Sequence, residues 1–391
     1  TLAEGALLAG LIRAPSTYNP YRNIDPASRR MRIVLRRMAQ LGHVSGEAAQ
    51  RAAEMPLRLA PPSNAGFVGM RAGYFSSTVQ QYLIERYGED LVYTGGLQVY
   101  TTLDLRMQEA AERALRKGLE RARRARLNVT QGAVVALNPH TGYIRALVGG
   151  YDFDQSPYNR AWQAQRQAGS AFKPFIYTAA VANGWRPTKQ ILDAPIRYRD
   201  GSRRIWEPKN YDKKFRGFVT MRRALEQSIN IPAIRTLDDI GTDRVISYAR
   251  RMGIRSPLTP NLSLALGSSE VTPLEMASAY GTFATKGIHA QPIMVTKVVD
   301  RYGRVLEENR PKRDLALDER VAAQMIDLMK GVVQRGTGRG ASIGRPVAGK
   351  TGTSDDYRNA WFIGFTPYLS TAVWVGNDDN APMRRVVGGT I

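Results

Sequence analysis

The sequence predicts an α+β fold: an antiparallel sheet flanked by helices, with one buried central helix. Two observations lead there. Strand-like alternation occurs early, in "GAVVALNPHTGYIRALVGG" (132–150), and again late, in "NAWFIGFTP" and "STAVWVGND" (359–378). Helical patterns fill the interval, so early and late strands must close one sheet. Within that interval "SAFKPFIYTAAVANG" (170–184) is apolar almost all round, which is the pattern of a helix surrounded by protein.

The elements follow in chain order. Residues 1–55 read as helical. "LAEGALLAGLI" is apolar at helical spacing from the first residues, as if a fragment opened mid-helix, and Pro15 stops it. "DPASRRMRIVLRRMAQLGHVS" follows, with Asp25 as cap, Pro26 in the first turn, and Ile33, Val34, Met38 and Leu41 on one face. "GEAAQRAAEM" extends the helical block, and the prolines of "PLRLAPPSNAG" mark a linker. "GGLQVYTTLD" alternates like a strand, and "LRMQEAAERALRKGLERARRAR" is an amphipathic helix with a basic end. The turn "NPHTG" makes 132–150 a hairpin. "TMRRALEQSINIPAIRTLDDIG" and "TPLEMASAYGTFATKG" are further helices, and no internal repeat is evident. These shifts divide the chain into a helical block at 1–55, a linker region at 56–95 and a main domain at 96–391 with its core from about 132.

Composition narrows the function. At 391 residues and 43% hydrophobic the chain can bury more than one core. Its formal net charge of +22 favours anionic partners: nucleic acid, an acidic membrane surface or an acidic polymer. Cysteine is absent, which excludes disulfides, thiolate catalysis and zinc–cysteine sites. His43, His140 and His289 lie far apart, so no metal site is expected. No stretch approaches the roughly 18 apolar residues of a membrane span, and no signal segment opens the sequence.

Residues 344–354, "GRPVAGKTGTS", carry two incompatible patterns. Gly344, Gly349, Lys350 and Thr351 spell a P-loop, whereas Lys350, Thr351 and Gly352 spell the K-T-G of serine acyl-transfer enzymes. A P-loop needs a buried strand before it and a helix after it. Here the preceding "RGTGRGASI" is polar and glycine-rich, Pro346 sits in the would-be cradle, and a strand pattern follows. The K-T-G reading needs companions and has them: Ser170 and Lys173 form S-x-x-K, and Ser228 and Asn230 form S-x-N, in the order such enzymes require.

The surrounding blocks "QAGSAFKPFIYTAA", "NYDKKFRGFVTMRRALEQSINIPAI", "LALGSSEVTPLEMASAYGTFATKG" and "AGKTGTSDDYRNAWFIGFTP" resemble the transpeptidase domain of class A penicillin-binding proteins. "AEGALLAGLIRAPSTYNPYRNIDPASRRMRIVLRRM" resembles the C-terminal end of that family's peptidoglycan glycosyltransferase domain. The glycosyltransferase's catalytic glutamate would lie upstream of Thr1, and Glu4 is not its equivalent. The resemblance implies a penicillin-binding/β-lactamase-like transpeptidase fold on 96–391, a linker at 56–95 and a glycosyltransferase remnant on 1–55. It implies a D,D-transpeptidase that crosslinks peptidoglycan stem peptides ending in D-Ala-D-Ala and is acylated by β-lactams. The expected location is extracytoplasmic, anchored by an N-terminal helix outside this sequence. The expected partners are the cell-wall synthesis machinery and an anionic membrane surface or cell-wall polymer, not nucleic acid. No cofactor is required.

Residue types suit that chemistry. Ser170 and Lys173, three apart, share a helix face. Pro174 fits only near the helix start, because its missing N–H would have bonded back toward Ser170. The resemblance implies that Ser170 is the nucleophile and Lys173 its base, which must be neutral. Burial would push it that way, and so would a second cation, Lys350, if strand and helix face each other across a cleft as the resemblance implies. The roles that follow are implied likewise. Ser228 relays a proton to the leaving amine, and the Asn230 amide holds the substrate backbone. Thr351 and Thr353, with Lys350, bind the substrate carboxylate, and Gly352 leaves room for the substrate against the strand. The amides of Ser170 and Thr353 form the oxyanion hole. Taken singly, Ser228, Asn230 and Thr353 read as ordinary cap or strand residues; the constellation raises them. A β-lactamase would need an E-x-x-L-N-like segment, absent between the S-x-N and K-T-G elements. A non-catalytic penicillin sensor would keep the fold without turnover.

Overall fold

The computed structural model describes residues 1–14, 17–21, 24–57, 59, 71–199 and 205–389. Pro15 and most of the proline-rich linker at 56–66 lie outside them. The chain forms two compact units, Thr1–Met70 and Arg71–Ile391.

The first unit holds α1 (Leu2–Leu11), α2 (Ile24–Gln40) and α3 (Gly46–Glu54). The Thr1 hydroxyl accepts the Glu4 N–H in a capping box. Helix α2 buries Ala27, Met31 and Leu35, spaced four apart, and leaves Ile33 and Leu41 more than half-exposed or nearly so. The expected apolar face was therefore misplaced. Ile33 stands two residues from Met31, about 200° round the helix, and the 27/31/35 stripe packs inward instead. Asp25 and Pro26 fall inside the first turn, because the helix already begins at Ile24.

The second unit is built on a five-stranded antiparallel sheet. Its strands are β1 (Gln131–Leu137), β2 (Ile144–Val148), β3 (Ala348–Thr353), β4 (Asn359–Thr366) and β5 (Leu369–Gly376). Their spatial order is β3-β4-β5-β1-β2, so late strands join early ones and β3 forms an edge. The hairpin turn at 138–142 closes through Gly142, whose φ of 73° favours glycine. Helices α4 (Gly73–Tyr87) and α5 (Glu89–Thr94) occupy the region read from sequence as linker. Tyr74, Phe75, Val79 and Leu83 of α4 belong to this unit's core. The Tyr82 and Tyr87 hydroxyls and the Arg86 guanidinium converge on Glu307. That carboxylate lies in the three-stranded sheet of Gln98–Thr101, Val295–Val299 and Val305–Glu308.

Helix α6 (Leu105–Arg124) packs on β1 and β2. Helix α7 (Lys173–Ala182) is buried from Lys173 to Val181, as its all-round apolar sequence predicts. Around it lie α8 (Met221–Glu226), α9 (Asn230–Ile240), α10 (Thr242–Arg251) and α12 (Glu319–Gln334), while α11 (Pro273–Ala284) packs on β1, β4 and β5. No described helix is long and apolar enough to cross a membrane.

Candidate active site

Ser170 lies in a 3₁₀ turn, Gly169–Phe172, that leads directly into α7. Pro174 occupies the first turn of α7, where a missing N–H costs nothing. Gly169 has φ 54°, and a Cβ there would fall 2.4 Å from the Thr353 carbonyl oxygen. The nucleophile turn and the end of β3 therefore touch, backbone against backbone.

Lys173 is fully buried three residues beyond Ser170. Its Nζ stands 2.7 Å from the Ser228 carbonyl oxygen and 2.7 Å from Asn230 Oδ1, with the Ile229 carbonyl at 3.3 Å. A neutral amine has two hydrogens and one lone pair. Donating to the two nearest oxygens leaves the lone pair unused by them, with Ser228 Oγ at 3.4 Å. Ser170 Oγ makes no hydrogen bond among the described residues. Ser228 adopts φ 56°, in the left-handed region, which costs a non-glycine residue about 1 kcal/mol or more. That strain coincides with Ser228 and Ile229 both presenting their carbonyls to Lys173.

Lys350, also fully buried, donates to Ser228 Oγ at 2.9 Å and to the Thr351 carbonyl at 2.9 Å. Burial, and then the nearby charge of Lys350, hold the Lys173 ammonium well below its usual value of 10.5. Burial alone brings Lys350 down to about 7.

Ser170, Ser228, Asn230, Thr351 and Thr353 line one cleft of about 440 Å³. Alternation along β3 explains which residues reach it. Thr351 and Thr353 line the cleft, and Lys350 extends its Nζ to Ser228 Oγ in the cleft wall. The Lys350 charge reaches the cleft through Ser228 Oγ. One sequence-based expectation changes. Gly352 does not clear space for substrate, because a Cβ there would meet the Ala168 carbonyl at 2.5 Å and Ala171 Cβ at 2.9 Å. It lets the strand press against the nucleophile turn. The P-loop alternative fails: Gly344 lies outside β3, and strand, not helix, continues through Thr353.

The cleft also contains residues that motif reading missed. Thr337 Oγ1 is 2.6 Å from Thr351 Oγ1. The Gly388 N–H points at Thr353 Oγ1 across 3.4 Å. Tyr211 and Tyr357 meet at the mouth, hydroxyl to hydroxyl, at 2.7 Å. Tyr211 and Tyr357 lie inside blocks that carry the family resemblance, but no motif singles them out. A cavity of about 660 Å³ between α2 and α3 is larger but contains none of the motif residues.

A lysine-backed serine beside a K-T-G edge strand defines the penicillin-recognising class of acyl-transfer folds. The family model for the penicillin binding protein transpeptidase domain matches residues 132–381, and the chain belongs to that family. Similarity extends further. Penicillin-binding protein 1A of Aquifex aeolicus is 34% identical over all of this chain and 64% of its own length. That of Neisseria lactamica is 35% identical over all of this chain and 63% of its own length. The chain thus spans just under two-thirds of these relatives. Among solved structures, penicillin-binding protein 1A from Haemophilus influenzae superposes with a TM-score of 0.80 at 27% identity, covering all of this chain and 78% of that one. PonA1 from Mycobacterium tuberculosis gives 0.71 at 30% identity over 81% of this chain and 88% of its own, and has also been solved with penicillin V.

Proposed function

We propose that this chain is a serine-type D,D-transpeptidase of peptidoglycan and a covalent target of β-lactams. The observation that carries the reading is the convergence of two buried lysines on Ser228, one of them a helix turn from Ser170. Ser170 Oγ attacks the carbonyl carbon of the penultimate D-Ala while its proton passes to the Lys173 lone pair. The oxyanion rests on the Ser170 and Thr353 amides. The C–N bond breaks as a proton reaches the departing D-Ala amine through Ser228 Oγ. An amine of a second stem peptide then attacks the ester, forms the crosslink and frees Ser170. Asn230 holds the donor backbone, and Thr351 and Thr353 receive its carboxylate under the field of Lys350. A β-lactam follows the same path but keeps its leaving group tethered, so the ester persists.

The penicillin V complex of PonA1 supports the β-lactam half of this reading. The first unit we assign to the C-terminal end of a glycosyltransferase domain, and the intact parent to an extracytoplasmic, membrane-anchored enzyme that also polymerises glycan. Labelling with fluorescent penicillin tests the core: wild type should be labelled and Ser170→Ala should not. Label on both, or on neither, would sink the reading. Label without D-Ala release from a stem-peptide donor would favour a sensor.

A further inference from the structure

The S-x-N asparagine is held by a group no motif includes. Helix α9 begins at Asn230, and Ile229, at the capping position, offers no side-chain acceptor. Asn210 takes that role from twenty residues away: its Oδ1 accepts the Asn230 N–H at 3.0 Å and the Ile231 N–H at 3.1 Å. Its amide NH₂ donates to Asp193 Oδ1 and to the Lys214 carbonyl, both at 2.7 Å. Asp193 is completely buried, and its other oxygen accepts the Arg216 N–H at 3.1 Å with the Arg216 guanidinium at 3.4 Å. Every donor and acceptor of the Asn210 amide is thus used. A flip would set NH₂ against two N–H groups and oxygen against a carboxylate.

The same segment fixes the Asn230 side chain. Asn230 Nδ2 donates to the Lys209 carbonyl at 2.9 Å, so Oδ1 is the atom turned to Lys173 Nζ. Were Asn230 to flip, Nδ2 would donate to the neutral lysine and consume the lone pair that Ser170 needs. We propose that Asn210, clamped by Asp193, is a positioning residue for acyl transfer: it sets the orientation of Asn230 and, through it, the direction of the Lys173 lone pair. This inference rests on the acyl-transfer reading above.

The test uses the full chain and measures acylation rate against penicillin concentration, separating the maximal rate from the apparent affinity. N210D keeps the capping oxygen but sets a carboxylate against Asp193, and D193N loses the charged anchor. N210D should lower the melting temperature, because two carboxylates then share a buried site. Measured well below that melt, the folded variant should lose about 10- to 100-fold in maximal rate with apparent affinity changed less than about threefold. In N210D/D193N the new amide at 193 can donate to the new carboxylate at 210 and the charge clash is gone, but the Lys214 carbonyl loses its donor, so the rate should return in part. Should N210D fail to fold, N210S serves, because it keeps a capping hydroxyl without the Asp193 bond. Wild-type rates in these folded variants, or a loss confined to affinity, would overturn the clamp while leaving the function standing. An unlabelled wild type would overturn both.

Discussion

Two buried lysine amines and one hydroxyl make up the electrostatic centre: Lys173 and Lys350 flank Ser228. Their ionisation dictates a pH profile. Acylation needs Lys173 neutral, so its rate should rise as pH climbs through the depressed Lys173 ionisation. Lys350 attracts the donor carboxylate only while charged, so the second-order rate should fall again as pH passes about 7 in the free protein. A bound carboxylate opposes loss of that proton, so under saturating donor the alkaline limb should move upward. A profile flat from pH 6 to 10 would contradict the Lys350 role, and a rate that does not fall at any acid pH where the protein stays folded would contradict the Lys173 role. Lys173→Arg should be nearly inactive, because a guanidinium keeps its proton.

At the scale of elements, the contact between β3 and the nucleophile turn is the tightest constraint. Gly352→Ala would force Ala168, Ala171 or the strand to move. We expect it to cost about 1–3 kcal/mol in stability and to slow acylation at least tenfold. Gly344→Ala meets no atom within 4 Å and strains only an exposed loop at φ 72°, so acylation should be unchanged. Thermal melts and acylation rates on the two variants decide it. The motifs and the sheet were legible in sequence because each is local: a triplet, an alternating run, an all-apolar helix. Thr337, Asn210 and Gly388 were not. Their partners lie 14, 20 or 35 residues away, and a threonine, an asparagine or a glycine carries no signal until folding supplies its neighbour. Gly352 shows the converse: the residue was found, but which face it served depended on strand packing. Helix α4 was missed because the prolines before it were read as extending the linker.

For the whole molecule, the reading of the first unit yields a negative expectation. Its three described helices hold Glu4, Glu47 and Glu54 exposed, with Glu54 on the cavity between α2 and α3, and none of the three is buried. The 391-residue chain should therefore make no glycan from lipid-linked disaccharide precursor. A processive product on gel analysis would show that the division at 70/71 separates something other than a remnant from its neighbour. The net charge of +22 should meanwhile draw the chain toward acidic surfaces and weaken that attraction as salt rises.

Trp361 stands fully buried on β4, opposite Gly352, and its indole N–H donates to the Gln167 carbonyl at 2.8 Å. Gln167 lies three residues before Ser170, at the end of the short strand Arg166–Gln167. The protein thus carries its own fluorophore, tethered to the backbone that acylation loads. Emission from a buried indole responds to small changes in its hydrogen bond and local field. Penicillin should therefore shift tryptophan emission in step with covalent labelling, and Trp361→Phe should abolish the shift while the label still forms. An equal shift in that variant would place the signal elsewhere.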